Sequence, residues 1–106
     1  MVRRFAIDVP AARVEELCDR WKVAELSLFG SALEERFGPD SDIDVLVSFL
    51  PMAEWDLLDL IRMEGELVDL FGRRVDLVTR SSVESSRNPI RRQAILGSLV
   101  PVYVSR

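Results

Sequence analysis

Three aspartates and one glycine-serine pair carry the chemistry this sequence suggests. Gly30-Ser31 ends the stretch "VAELSLFGS", and after ten further residues Asp42 and Asp44 flank one isoleucine at the start of the apolar run "DIDVLVSFL". A later acid, Asp76, stands inside "RRVDLVT". Side chains alternate along a strand, so residues two apart share a face. Asp42 and Asp44 then lie together while Ile43 turns to the core. Two carboxylates that close repel each other unless a cation sits between them. Mg²⁺ accepts such oxygen-rich sites and keeps positions open for water and substrate phosphates. With Asp76 on an adjacent strand, three carboxylates could hold two Mg²⁺ ions about 3.5–4 Å apart, the arrangement used for in-line phosphoryl and nucleotidyl transfer.

Gly30-Ser31 complements the acids. A glycine at a strand end permits close backbone approach, and a helix that follows offers free N–H groups and its positive dipole end to a phosphate. The Ser31 hydroxyl adds a donor. Taken alone, Gly-Ser is more often a plain strand-to-helix turn with Ser31 as N-cap, and an isolated Asp-x-Asp is more often a turn plus a surface acid. Their joint occurrence with a third strand-borne acid points to catalysis.

The elements that must position these groups follow from periodicity. Ala11, Val14, Leu17, Cys18 and Trp21 fall at helical spacing over 10–21, and the two-residue alternation of 23–29 predicts a strand ended by Gly30. A short helix is expected over 31–37, then a turn at "FGPDSD" and a central strand over 42–50. The longest helix is expected over 53–70. It places Leu57, Leu60, Ile61, Glu64, Leu67, Val68 and Phe71 largely on one side, a face expected to be core, with Gly72 as its stop. "RRVDLVT" predicts a third strand that points Arg74, Asp76 and Val78 one way, with Asp76 inside the sheet if the strand is central. "SSVESSRNP" has loop composition. Asn88 and Pro89 open a short helix that ends near Gly97, and "LVPVYV" is a last extended segment. The alternation predicts an α/β or α+β fold with one sheet and helices packed against it.

At 106 residues the chain is expected to be a single domain spanning 1–106. The composition, 48% hydrophobic and 30% charged, is that of a globular protein. A net charge of −4 argues against direct, non-specific nucleic-acid binding, which rests on clustered Lys and Arg. Basic clusters at Arg73-Arg74 and at Arg87 with Arg91-Arg92 are large enough to meet a nucleotide's phosphates or a partner's acidic face. There is no histidine, which removes Ser/His/Asp triads and the usual zinc sites from consideration. The one cysteine, Cys18, fits a half-buried helix position and a reducing compartment. With no long apolar run or leader, neither a membrane span nor a signal peptide is expected, and the expected location is cytoplasmic.

The pattern Gly-Ser-x10-Asp-x-Asp, formed by Gly30, Ser31, Asp42 and Asp44, resembles the signature of the polymerase β-like nucleotidyltransferase superfamily, and "RRVDLVT" resembles its third-carboxylate strand. The context "LFGS…FGPDSDIDVLVSF…GRRVDLVT…PVY", over roughly residues 23–103, is similar to the minimal nucleotidyltransferase (MNT) group. The resemblance implies a mixed-sheet catalytic palm using two Mg²⁺ ions and ATP. Asp42, Asp44 and Asp76 would be the metal ligands, and Gly30 and Ser31 would lie at the triphosphate. Many MNT proteins are antitoxins paired with a HEPN-domain ribonuclease toxin, and some transfer AMP from ATP to a tyrosine of that toxin. The implied role is therefore antitoxin of a type VII-like pair, in a hetero-oligomer with its toxin, with Asp76 also the base for the acceptor hydroxyl.

The chain departs from the family's common pattern at Glu34, close after Gly-Ser, where relatives often carry an arginine. Two other functions stand beside the leading one. A non-catalytic antitoxin would neutralise its toxin by contact, and a small-molecule transferase would modify an acceptor such as an antibiotic.

Overall fold

The computed structural model describes residues 9–30 and 42–105. Along the chain run α1 (Ala11–Arg20), β1 (Val23–Phe29), β2 (Ile43–Phe49), α2 (Leu57–Phe71), β3 (Val75–Thr79), α3 (Arg80–Glu84), α4 (Pro89–Leu96) and β4 (Val100–Val104). The helix expected over 31–37 lies outside the described residues.

Among the described residues four strands form one mixed sheet in the order β3-β2-β1-β4. β1 pairs antiparallel with β2 and β4, whereas β2 and β3 run parallel. Parallel neighbours need a long crossover, and α2 supplies it. On one face of the sheet Leu26, Leu28, Ile43, Val45, Val47 and Val75 pack with Val14, Leu17 and Cys18 of α1 and Met63, Leu67 and Leu70 of α2. On the other, Phe29 and Leu46 pack with Val83 of α3 and Ile95 of α4. The sheet is therefore covered from both sides over its middle, which is why β2 is apolar at successive positions rather than alternating.

Local chemistry sets the helix boundaries. Asp56 accepts from the Asp59 N–H at 2.9 Å while the Asp59 carboxylate accepts from the Asp56 N–H at 3.1 Å. This reciprocal cap starts α2 at Leu57, later than the periodicity suggests. Gly72, at φ 70°, ends it by donating to Val68 O. The buried side of α2 is Met63, Leu67 and Leu70, whereas Leu57, Leu58 and Ile61 are exposed. Of the face expected to be core, Leu67 is buried and Leu57 and Ile61 are exposed, and Met63 and Leu70 complete the buried side instead. Of "SSVESSRNP", expected as loop, Ser81 to Glu84 are helical: Thr79, the last residue of β3, accepts from the Ser82 N–H at 3.2 Å and caps α3. Asn88 caps α4 through Arg91 N, with Pro89 first in the helix, as its sequence indicates. No helix among the described residues is long and apolar enough to cross a membrane.

Candidate active site

β2 contributes Asp44 and, just before its first residue, Asp42; β3 contributes Asp76; the end of β1 contributes Gly30. The parallel register places Asp44 opposite Asp76 and Ile43 opposite Val75, fixed at its start by Ile43 N donating to Arg74 O at 2.9 Å. The antiparallel register on the other side places Phe29 opposite Asp44, so Gly30 follows directly beside that acid. Alternation puts Asp42, Asp44 and Asp76 on the face that carries Phe29 and Leu46, while Ile43 is fully buried on the opposite face. Apolar residues thus anchor the strands and leave the acids outward, Asp44 half-buried and Asp42 and Asp76 exposed.

Gly30 is required by two independent constraints. Its φ of 70° lies in the left-handed region, and a Cβ there would collide with Oδ2 of Asp44. The backbone therefore passes against the carboxylate with no side chain between them. Ser31, the expected second phosphate ligand, lies outside the described residues, as does Glu34.

Two features differ from the sequence expectation. β3 is at the edge of the sheet, not central, so Asp76 is exposed to solvent rather than enclosed. The Asp42 carboxylate meets Arg74 Nε at 3.0 Å. Both partners are more than half exposed, so the pair adds little stability. Its effect is to set where the Asp42 carboxylate points. Sequence alone shows Arg74 only as half of a basic cluster. The pairing depends on register, which puts position 74 beside 42 just as it puts 76 beside 44.

The donor set suits a hard divalent cation: carboxylate oxygens on one solvent-reached face, with the Gly30 backbone packed directly against the Asp44 carboxylate. Among the described residues, however, no three His, Cys, Asp or Glu side chains are gathered about one point. Asp44 and Asp76 are neighbours by register, and Asp42 is held toward Arg74. A larger cleft of about 450 Å³ lies at the far ends of β2 and β3, among Ser48, Trp55, Thr79 and Arg80. It contains none of these acids.

Cys18 takes no part. It is fully buried between α1 and the sheet, and burial together with the neighbouring Asp19 charge pushes its thiol up to about 12. A thiol of that kind stays protonated and unreactive at neutral pH. The expected half-buried position is in fact a sealed one.

A mixed sheet with helices on both faces and a glycine-flanked row of acids at one end defines a nucleotidyl-transfer palm. Residues 13–99 match the family model described as a nucleotidyltransferase domain, and the chain belongs to that family. Among its relatives, the protein adenylyltransferase MntA of Thermococcus cleftensis is 42% identical over 74 residues, spanning 70% of this chain and 73% of that protein. A crystal structure of a toxin-antitoxin with AMP-PNP aligns with a TM-score of 0.68 at 19% identity, over 92% of this chain and 76% of that one. The structure of a tri-AMPylated Shewanella oneidensis HEPN toxin in complex with its MNT antitoxin aligns at 0.60 and 20% identity, over 90% and 70%. These two likenesses are likenesses of fold.

Proposed function

We propose that the chain is a Mg²⁺-dependent adenylyltransferase that moves AMP from ATP to a hydroxyl, most specifically a tyrosine, of a HEPN-family toxin and so acts as that toxin's antitoxin. The observation that carries this reading is the row Gly30, Asp44, Asp76, set side by side by two strand registers in a chain of the nucleotidyltransferase family. Support comes from the relative named protein adenylyltransferase MntA, from the fold neighbour solved with AMP-PNP, and from the neighbour solved with an AMPylated HEPN toxin.

In this reading Asp42, Asp44 and Asp76 would hold Mg²⁺. The bound metal would acidify the attacking hydroxyl and neutralise charge on the triphosphate. Gly30 and Ser31 receive the triphosphate, Gly30 by offering backbone with no Cβ in the way. The acceptor hydroxyl attacks the α-phosphorus; a new O–P bond forms, the bond to the bridging oxygen of the β-phosphate breaks, and pyrophosphate leaves. Asp76, exposed at the sheet edge, takes the hydroxyl proton. The setting is the cytoplasm, where ATP is abundant and a buried free thiol stays reduced.

The test is transfer of α-labelled AMP from ATP to a co-purified HEPN toxin in the presence of Mg²⁺. Label on the toxin, lost when Mg²⁺ is chelated, is the expected result; an unlabelled toxin that is nonetheless neutralised would overturn it. That second outcome is the contact-only antitoxin, and one observation favours it: the Asp42 carboxylate is engaged by Arg74 and the three acids are not drawn together.

A further inference from the structure

On the face of the sheet that carries the acids, a cavity of about 180 Å³ opens between α3 and α4. Its walls are Ser82, Ser86, Arg91 and Arg92, and its back is apolar, from Val78, Val83 and Ile95. Val78 stands two residues beyond Asp76 on the same face of β3, a backbone rise of about 6.6 Å, so the cavity adjoins the strand position of that acid.

The wall is organised for an anion. Arg92 Nη1 donates to Ser86 O at 2.8 Å, which fixes its guanidinium at the mouth of the α3–α4 connection. No ion pair among the described residues engages Arg91 or Arg92. Arg91 N is already capped by Asn88 Oδ1 at 3.1 Å, so the binding groups are the side chains and not the helix end. Guanidinium groups with hydroxyls beside them match the planar, multi-oxygen geometry of carboxylate and phosphate. In a chain whose net charge is −4, two arginines beside one cavity are a local reversal of sign.

Position across the sheet distinguishes what the anion belongs to. Gly30 flanks Asp44 on the β1 side, whereas the cavity adjoins Asp76 on the β3 side. A triphosphate at Gly30 and an anion at Arg91 are therefore on opposite sides of Asp44. We infer that the α3–α4 cavity is the acceptor subsite: it holds an oxyanion carried by the acceptor segment and so brings that segment's hydroxyl to Asp76. This rests on the transfer reaction proposed above. The acceptor's oxyanion is a carboxylate or a phosphate, and the titrations below separate the two.

The first experiment needs no turnover. Amide spectra of ¹⁵N-labelled protein are followed during titration with inorganic phosphate and, separately, with acetate. Saturable shifts at Ser82, Ser86 and Arg91, absent in Arg91→Ala, are expected with at least one of them. Shifts with phosphate alone assign a phosphorylated acceptor segment, and shifts with acetate an acidic one; no saturable shift with either overturns the site. The second measures AMP transfer to the HEPN toxin. Arg91→Ala is expected to raise KM for the toxin about tenfold, the size of one lost charged contact, with KM for ATP unchanged and partial recovery in Arg91→Lys. A rise in KM for ATP instead would give the cavity to the nucleotide, and no change in either would remove it from the reaction; both overturn the assignment. Wild-type protein that shows the phosphate shifts but transfers no AMP would sink the transferase reading itself, and the acceptor subsite with it.

Discussion

Asp44 and Asp76 stand directly opposite each other in the parallel pairing of β2 and β3, on the face of the sheet turned away from α1 and α2. Like charges so placed on neighbouring strands work against the fold by a few tenths of a kcal/mol up to about 1. In the proposed reading a divalent cation held between them would reverse the sign of that interaction.

Asp44→Asn is accordingly expected to lower AMP transfer by more than about 100-fold, at least the loss known for groups that merely support a metal ligand. Asp76→Asn should behave in the same way. Activity near that of the wild type in either variant would remove that residue from the site.

Gly30→Ala tests the contact between β1 and the acid row. A left-handed φ costs an alanine about 1–2 kcal/mol, and the new methyl would strike Asp44 Oδ2. The expected outcome is a lower urea midpoint together with loss of Mg²⁺-dependent ATP binding in calorimetry. Retained binding at wild-type affinity would show that Asp44 can move aside without consequence.

Gly65 offers the opposite case. It lies in the interior of α2, exposed, and a Cβ there would meet nothing within 4 Å. Gly65→Ala should raise stability by about 0.5–1 kcal/mol, by removing backbone freedom from the unfolded chain and improving helix propensity. Transfer activity should stay the same, because the residue is remote from the acids. A lower urea midpoint would mean the helix needs flexibility at that point.

Cys18 gives a pH prediction with a definite sign. Its thiol titrates at 9.0 when unperturbed and at about 12 in the fold. Between those values the unfolded chain has released the proton and the folded chain still holds it. The contribution of Cys18 to stability is therefore full below pH 9 and declines as the pH rises toward 12. Urea midpoints of wild type and Cys18→Ala should run parallel up to pH 9 and then converge. A thiol reagent at pH 8 should label the wild type only after denaturant is added.

Much of this architecture is legible in the sequence, for reasons that differ by element. β1 matches its expected 23–29 span because its alternation and Gly30 bound it chemically. α4 is announced by Asn88 and Pro89. That Asp42 and Asp44 share a face follows from alternation alone. What is not legible depends on partners distant in sequence. The edge position of β3 is a property of strand order, and the Asp42–Arg74 pair is a property of register. The start of α2 was hidden because Glu54 to Asp59 have helical periodicity, whereas the Asp56 and Asp59 side chains compete for the backbone. The acceptor-side cavity is invisible in one dimension, since it brings Val78 together with Arg91 and Arg92 from a different element.

The outward backbone N–H of Leu77 on β3 is bonded by the Glu64 carboxylate of α2 at 3.3 Å, and the opposite outer strand, β4, carries Pro101 in its interior. Among the described residues each outer strand thus has a position at which a foreign strand could not continue its ladder: on one side the donor is occupied by an anion, on the other it does not exist. A companion protein would then be met through helices and side chains rather than by lengthening the sheet, and the same two residues protect the chain from stacking edge to edge with copies of itself.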